Sequence, residues 1–308
     1  MALSPRTRLA LTASRLADAL LAALVRGGFA LLRLLGPERS AALGAAVART
    51  LGPLFPAHRI ARENIAAAFP EKSEAERAAI LREAWDNLGR TSCEYVHMDA
   101  IWAHDPATDE PARVELPPEV RERFLALRDD GKPALFFASH LANWELPAIA
   151  AARYGMEAAA LYRTPNNRGI AREILALRRD SMGELIPAGL TAPLKLVRAV
   201  ERGAHVGMLV DQRFGRGPRV PFFGRPVAAN PLLGELARRF EDVPVHGVRA
   251  IRLPGGRFRM DVTPEIALPR DAEGRVDVAG ATAAINAVIE GWVREKPGQW
   301  LWMHRRWR

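Results

Sequence analysis

A chain of 308 residues, 49% hydrophobic and 26% charged, is long enough for one large α/β domain or two average ones, and too apolar for a disordered tail. Its single cysteine, Cys93, excludes an intramolecular disulfide framework and a cysteine-built metal site, and suits a reducing compartment. The net charge of +9 is uneven: residues 1–62 carry nine Arg and two acids, residues 63–130 carry sixteen acids against eight bases, and residues 131–308 return to +10. That balance implies an anionic partner and leaves nucleic acid, membrane and acidic protein open.

Residues 9–35 are rich in Leu and Ala, but Arg15, Asp18, Arg26 and Arg33 interrupt them. The stretch therefore reads as neither a secretory signal nor a clean span of about 20 apolar residues. Arg8, Arg15, Arg26 and Arg33 are spaced 7, 11 and 7 apart. At about 100° per residue they form one helical stripe, with Leu16, Leu20, Leu24 and Leu31 mostly away from it. Such a helix suits a membrane interface, with guanidinium groups reaching lipid phosphates. A surface helix with a solvated basic edge has the same pattern, and Gly27-Gly28 marks where either would break.

Ser73 and Glu76 form a capping box that opens a helix through about residue 99. Pro117-Pro118 starts another, stopped by Gly131-Lys132-Pro133. Alternation follows: strand Ala134–Ala138, helix Asn143–Tyr154, strand Ala158–Tyr162, helix Arg168–Met182, strand Glu184–Ile186, helix Ala192–Arg202, strand His205–Val210 and helix Pro231–Glu241. A hairpin, Val243–Leu253 with Arg257–Pro264, turns at Gly255-Gly256, and helix Gly280–Glu295 closes the series. Such alternation predicts an α/β fold with a mostly parallel central sheet flanked by helices. The expected division is a basic membrane-associating region, 1–57, ahead of one domain, 58–308.

In an open α/β sheet, ligands gather at the carboxyl ends of the strands. Ser139-His140 through Glu145 follow the first strand of the alternation, Arg163 and Asn166 the second, and Asp211-Gln212-Arg213 the strand at 205–210. His140 at a strand end and Glu145 in the first helical turn are placed to meet. A carboxylate on one ring nitrogen fixes the tautomer and leaves the other nitrogen as a general base. A histidine that merely caps the next helix satisfies the same spacing.

His140-x-x-Asn143-Trp144-Glu145 after an apolar strand resembles the H-x4-D/E block of the lysophospholipid acyltransferase superfamily, and more narrowly the bacterial lipid A late acyltransferases. Further blocks occur in the family's order: Arg62–Ile65 through Ala68–Pro70, Tyr162–Asn166, Val206-Gly207 with Asp211-Gln212, Val220–Arg225, and Gln299–Trp302 through His304–Trp307. Ala142 stands where many members have Gly, and the N-terminal region holds more Arg than the usual anchor helix. The resemblance implies a glycerophosphate-acyltransferase-like fold. It makes His140 the general base and Glu145 its partner, with no acyl-enzyme. Arg163, Asn166 and the Phe222-Phe223-Gly224-Arg225 block would hold acceptor phosphates or the oxyanion, and Asp211 would orient an arginine. Phe222 and Phe223 as core, and Asp211 as a solvated acid, remain the simpler alternatives. The implied donor is acyl carrier protein, the acceptor a lipid A precursor, and the place the cytoplasmic face of the inner membrane, with no cofactor, metal or nucleic acid.

A serine hydrolase motif is lacking, because Arg179-Asp180-Ser181-Met182-Gly183 has no first glycine. Gly215-Arg216-Gly217-Pro218 opens no helix and is no dinucleotide fingerprint. Two other readings stand beside the main one: a lysophospholipid or glycolipid acyltransferase, and a non-enzymatic peripheral membrane protein anchored by Trp300, Trp302 and Trp307.

Overall fold

The computed structural model describes residues 5–102, 113–164, 168–179 and 181–307, with the backbone alone for residues 5–20, 168–171 and 179. Helix α1 runs Pro5–Leu51 and passes unbroken through Gly27-Gly28. It kinks instead at Gly36, whose φ of 74° is open to glycine, ahead of Pro37, which supplies no N–H to the ladder. Past the kink α1 packs on α3 (Glu74–Glu94), whose start is the expected Ser73–Glu76 capping box. Gly44 and Gly89 meet where the two helices cross. A Cβ on Gly44 would lie 2.3 Å from the Gly89 carbonyl oxygen, so only glycine permits this approach.

Before α3, the Arg62–Ala68 block belongs to helix α2 (Pro56–Ala68). Short α4 (Met98–Ile101) follows α3. The later elements alternate as β1 (Val114–Glu115), α5 (Pro118–Asp129), β2 (Leu135–Ala138), α6 (Leu146–Arg153), β3 (Ala158–Tyr162), α7 (Arg168–Arg179), β4 (Glu184–Pro187), α8 (Ala192–Glu201) and β5 (His205–Leu209). A hairpin of β6 (Arg219–Phe222) and β7 (Arg225–Ala228) precedes α9 (Leu232–Arg239), β8 (Val245–Leu253), β9 (Arg257–Val262) and α10 (Val278–Glu295).

The main sheet has the order β1-β9-β8-β2-β5-β3-β4, parallel throughout except for the β8–β9 hairpin. Central β2 is buried on both faces, as a continuous apolar run in a parallel sheet must be. Phe137 points into a core with Val206, Met208 and Trp292, and Phe136 into a second core with Phe124, Ile149 and Val248. Helix α6 begins at Leu146, three residues after its expected start, because residues 139–145 form the loop that carries the site. The two-residue β6–β7 turn places Phe223 (φ 52°) and Gly224 (φ 66°) in the left-handed region, as a type I′ hairpin requires. Phenylalanine is rare there, which hid this hairpin from the sequence.

Among the described residues no helix is long and apolar enough to cross a membrane. Leu24, Leu31 and Leu34 of α1 are nonetheless exposed, at 73, 58 and 85%. Arg26 of the stripe stays exposed while pairing with Glu173 of α7 at 3.0 Å, and Arg33 is exposed as well. The side chains of Arg8 and Arg15 lie outside the described residues.

Candidate active site

Parallel register brings the first pair of groups together. Ala138 at the end of β2 stands opposite Leu209 at the end of β5, so the residues two further on, His140 and Asp211, leave adjacent strands at the same level. Asp211 is fully buried. Its Oδ1 lies 2.7 Å from His140 Nδ1, and its Oδ2 accepts the His140 backbone N–H at 2.8 Å and the Trp300 indole N–H at 2.8 Å. A carboxylate can only accept, so the Nδ1 proton faces Asp211 and Nε2 is the free base. Gln212 Nε2 is 3.4 Å from that Nε2, and the Trp144 ring is 5.2 Å from the imidazole. Burial pushes the Asp211 carboxyl up, but the charge and hydrogen bonds of His140 beside it prevail and hold it well below the usual carboxylate range.

The carboxylate on His140 is therefore Asp211, and not Glu145 as the H-x4-E spacing suggested. Glu145 turns away to α7, accepting from Arg178 Nε at 2.9 Å and Nη2, and to the Tyr95 hydroxyl after α3. The Arg178 guanidinium also lies 5.7 Å from the Tyr95 ring centroid and 6.0 Å from that of Tyr162. Burial lowers the Arg178 affinity for its proton, yet Glu145 and Tyr95 outweigh it and the net shift is upward. Burial, then Glu145, pushes the Tyr95 phenol up, so it stays a donor. The cluster is a fixed charge pair, because an arginine does not give up its proton.

The loop between these groups is held from both sides. Ala142 adopts φ 48°, which explains why glycine would suit this position. Its N–H donates to the Gln299 carbonyl at 2.8 Å, and its own carbonyl accepts from Asn87 at 3.2 Å and Thr91 at 3.0 Å. Buried Asn143 donates to Glu94 at 2.9 Å, and Glu94 in turn receives the Arg252 guanidinium. So α3 grips one side of the loop and the segment around residue 300 grips the other. That segment is tied to α2 by buried Asn64, which donates to the Trp302 and His304 carbonyls at 2.9 and 2.7 Å.

A cavity of about 510 Å³ opens at the loop. His140, Trp144, Glu145, Arg163, Arg178 and Gln212 line its carboxyl-end mouth. Its floor is one face of the sheet, where Ala138, Ala158, Ala160 and Gly207 carry little or no side chain, and it reaches Phe136 and His205. From Asp211 back to His205 the strand runs roughly 20 Å. His205 Nδ1 accepts the Ala134 N–H at 3.1 Å, and burial lowers its pKa.

Arg163 is exposed and lines the cavity. Asn166 lies outside the described residues. Phe222, Phe223, Gly224 and Arg225 are not among the residues lining the cavity. Phe222 and Phe223 are core, packed on Phe69, Trp300, Trp302 and Trp307, while exposed Arg225 lies 5.8 Å from the Trp307 ring centroid. The hairpin thus buttresses the residue-300 segment, and Trp300 and Trp302 are buried within it, not displayed as a lipid anchor. Arg178 and Tyr95 carried no signal in the sequence, because only α7 packing against the end of α3 brings them to Glu145.

Residues 11–308 match the family described as bacterial lipid A biosynthesis acyltransferase. The chain is similar to a lipid A biosynthesis palmitoleoyltransferase of Escherichia coli (strain K12), 25% identical over 253 residues, covering 81% of this chain and 78% of the relative. It is equally similar, with the same identity and coverage, to a lipid A biosynthesis acyltransferase of Shigella flexneri.

Proposed function

The chain belongs to the bacterial lipid A biosynthesis acyltransferase family, and from that premise we propose that it moves a fatty acyl chain from an acyl carrier protein thioester to a hydroxyl of a lipid A precursor. The observation that carries this reading is the His140–Asp211 pair at the mouth of an apolar cavity. His140 Nε2 takes the acceptor hydroxyl proton while Asp211 stabilises the imidazolium. The freed oxygen attacks the thioester carbonyl, a C–O bond forms, the C–S bond breaks, and the proton passes from Nε2 to the leaving thiolate. No covalent enzyme intermediate is needed.

The acyl chain lies along the floor of Ala138, Ala158, Ala160 and Gly207. Arg178, held by Glu145, and Arg163 face the same mouth, where planar, permanently charged groups suit phosphates and a developing oxyanion. Asn166, and Arg225 of the Phe222–Arg225 hairpin, remain candidates for the outer part of the acceptor. The exposed leucines of α1 support a place on the cytoplasmic face of the inner membrane, with residues 1–57 as the membrane-associating part. The basic 131–308 body suits acidic acyl carrier protein.

The test supplies purified protein with acyl carrier protein and CoA thioesters of several chain lengths, and a lipid A precursor or a lysophospholipid as acceptor. Transfer from acyl carrier protein to the lipid A precursor is expected. Transfer to the lysophospholipid alone would overturn the acceptor, and undiminished transfer by His140→Ala would overturn the mechanism.

A further inference from the structure

The segment around residue 300 touches the His140 loop and hydrogen-bonds the Asp211 carboxylate through the Trp300 indole. Trp300 and Leu141 form an antiparallel bridge, and the Leu301 N–H donates to the His140 carbonyl at 3.0 Å. Together with the Ala142–Gln299 bond, these contacts make the His140 loop and the Trp300 segment one unit. From that unit the Trp300 indole N–H reaches across to Asp211 on the neighbouring strand. The indole is itself immobilised, with the Trp302 ring edge-on at 4.6 Å and Phe222 at 5.7 Å.

Asp211 hangs from β5 and can rotate about its side-chain bonds. Its Oδ1 must stay on the Nδ1 proton for Nε2 to remain the base. Oδ2 is held by the His140 backbone N–H and by the indole, which among the described residues is the one donor on Asp211 from outside the His140 residue. We propose that Trp300 is a positioning residue for acyl transfer, its indole N–H fixing the Asp211 carboxylate in the rotation that keeps Oδ1 on His140 Nδ1. This rests on the reading of His140 as the base. Asp211 is fully buried, so water does not replace a lost donor. The neighbouring indole of Trp302 serves as a natural control: it sits in the same segment and the same ring cluster, but its N–H donates to the Pro297 carbonyl at 2.8 Å.

The experiment compares Trp300→Phe with Trp302→Phe in the full chain, reading kcat and KM for acyl transfer and the His140 Nδ1–H proton resonance by NMR without substrate. Benzothienylalanine at position 300, which keeps the indole shape without the N–H, serves where phenylalanine unfolds the chain. Trp300→Phe is expected to lower kcat about 10- to 100-fold with KM unchanged and to displace the resonance. Trp302→Phe is expected to keep both while lowering Tm. Retention of kcat and resonance by the folded position-300 variant would overturn the proposal, as would an equal loss in Trp302→Phe. If the unmodified chain transfers no acyl group yet the resonance is displaced only at position 300, the positioning stands and the proposed reaction falls.

Discussion

Asp211 and Glu145 are both buried carboxylates at one rim of the sheet, yet Asp211 faces an imidazole and Glu145 faces a guanidinium and a phenol. The partner decides what each can do. An imidazole can take up and release a proton through its second ring nitrogen, so the Asp211 pair supports proton transfer. A guanidinium keeps its proton, so the Glu145 pair only fixes charge and shape. Sequence proximity would give the reverse assignment, since Glu145 is five residues from His140 and Asp211 is 71 away.

The largest expected effect separates the two carboxylates by turnover. Asp211→Asn leaves the imidazole without its counter-charge, and kcat is expected to fall about 10²–10⁴-fold in a steady-state transfer assay. Glu145→Gln is expected to cost far less turnover and more stability. Breaking a buried pair on one side strands the other charge, about 3–5 kcal/mol by denaturant unfolding. Equal turnover loss in the two variants would erase the distinction.

Acid sharpens the same contrast. Burial lowers the pKa of His58, His97, His205 and His304 below the ordinary 6.5, outweighing the nearby carboxylates that raise it at His97, His205 and His304. The unfolded chain then binds more protons than the folded one, so stability is complete above about pH 6.5 and falls as the pH drops below it. The depressed Asp211 carboxyl adds a second loss below its ordinary value of about 4. Melting curves from pH 7.5 down to 3 should show both, and Asp211→Asn should shrink only the lower one, to which the depressed carboxyls of Glu76, Asp129 and Asp271 also contribute.

A smaller effect concerns the cavity floor. A Cβ on Gly207 meets no atom within 4 Å, so Gly207→Leu is expected to fold normally and shift preference toward shorter acyl chains about tenfold in competition assays. Smallest of all is Ala142→Gly at φ 48°, which should stabilise the loop by about 1 kcal/mol in chemical denaturation.

Much of the sheet was legible because β2, β3, β4 and β5 are apolar runs closed by turn residues, and the α3 capping box is a local signal. The site was legible only in part. His140 and Asp211 each stand two residues past a strand end, but their meeting depends on β5 lying beside β2, a fact of strand order that no local spacing carries. Arg178 needed α7 to pack at the end of α3. Phe222 and Phe223 illustrate the opposite limit, since their pattern matched a functional block while burial made them core.

The cavity floor has a consequence for how such enzymes diversify. On the proposed reading the residues lining the acyl path lie on β2, β3 and β5, and Gly207, four residues before Asp211, makes no hydrogen bond to His140 or Asp211. A lineage can therefore exchange one small floor residue and acquire a different fatty acid while its proton-transfer apparatus is inherited untouched. The membrane's lipid composition becomes adjustable by single substitutions at positions remote from the chemistry.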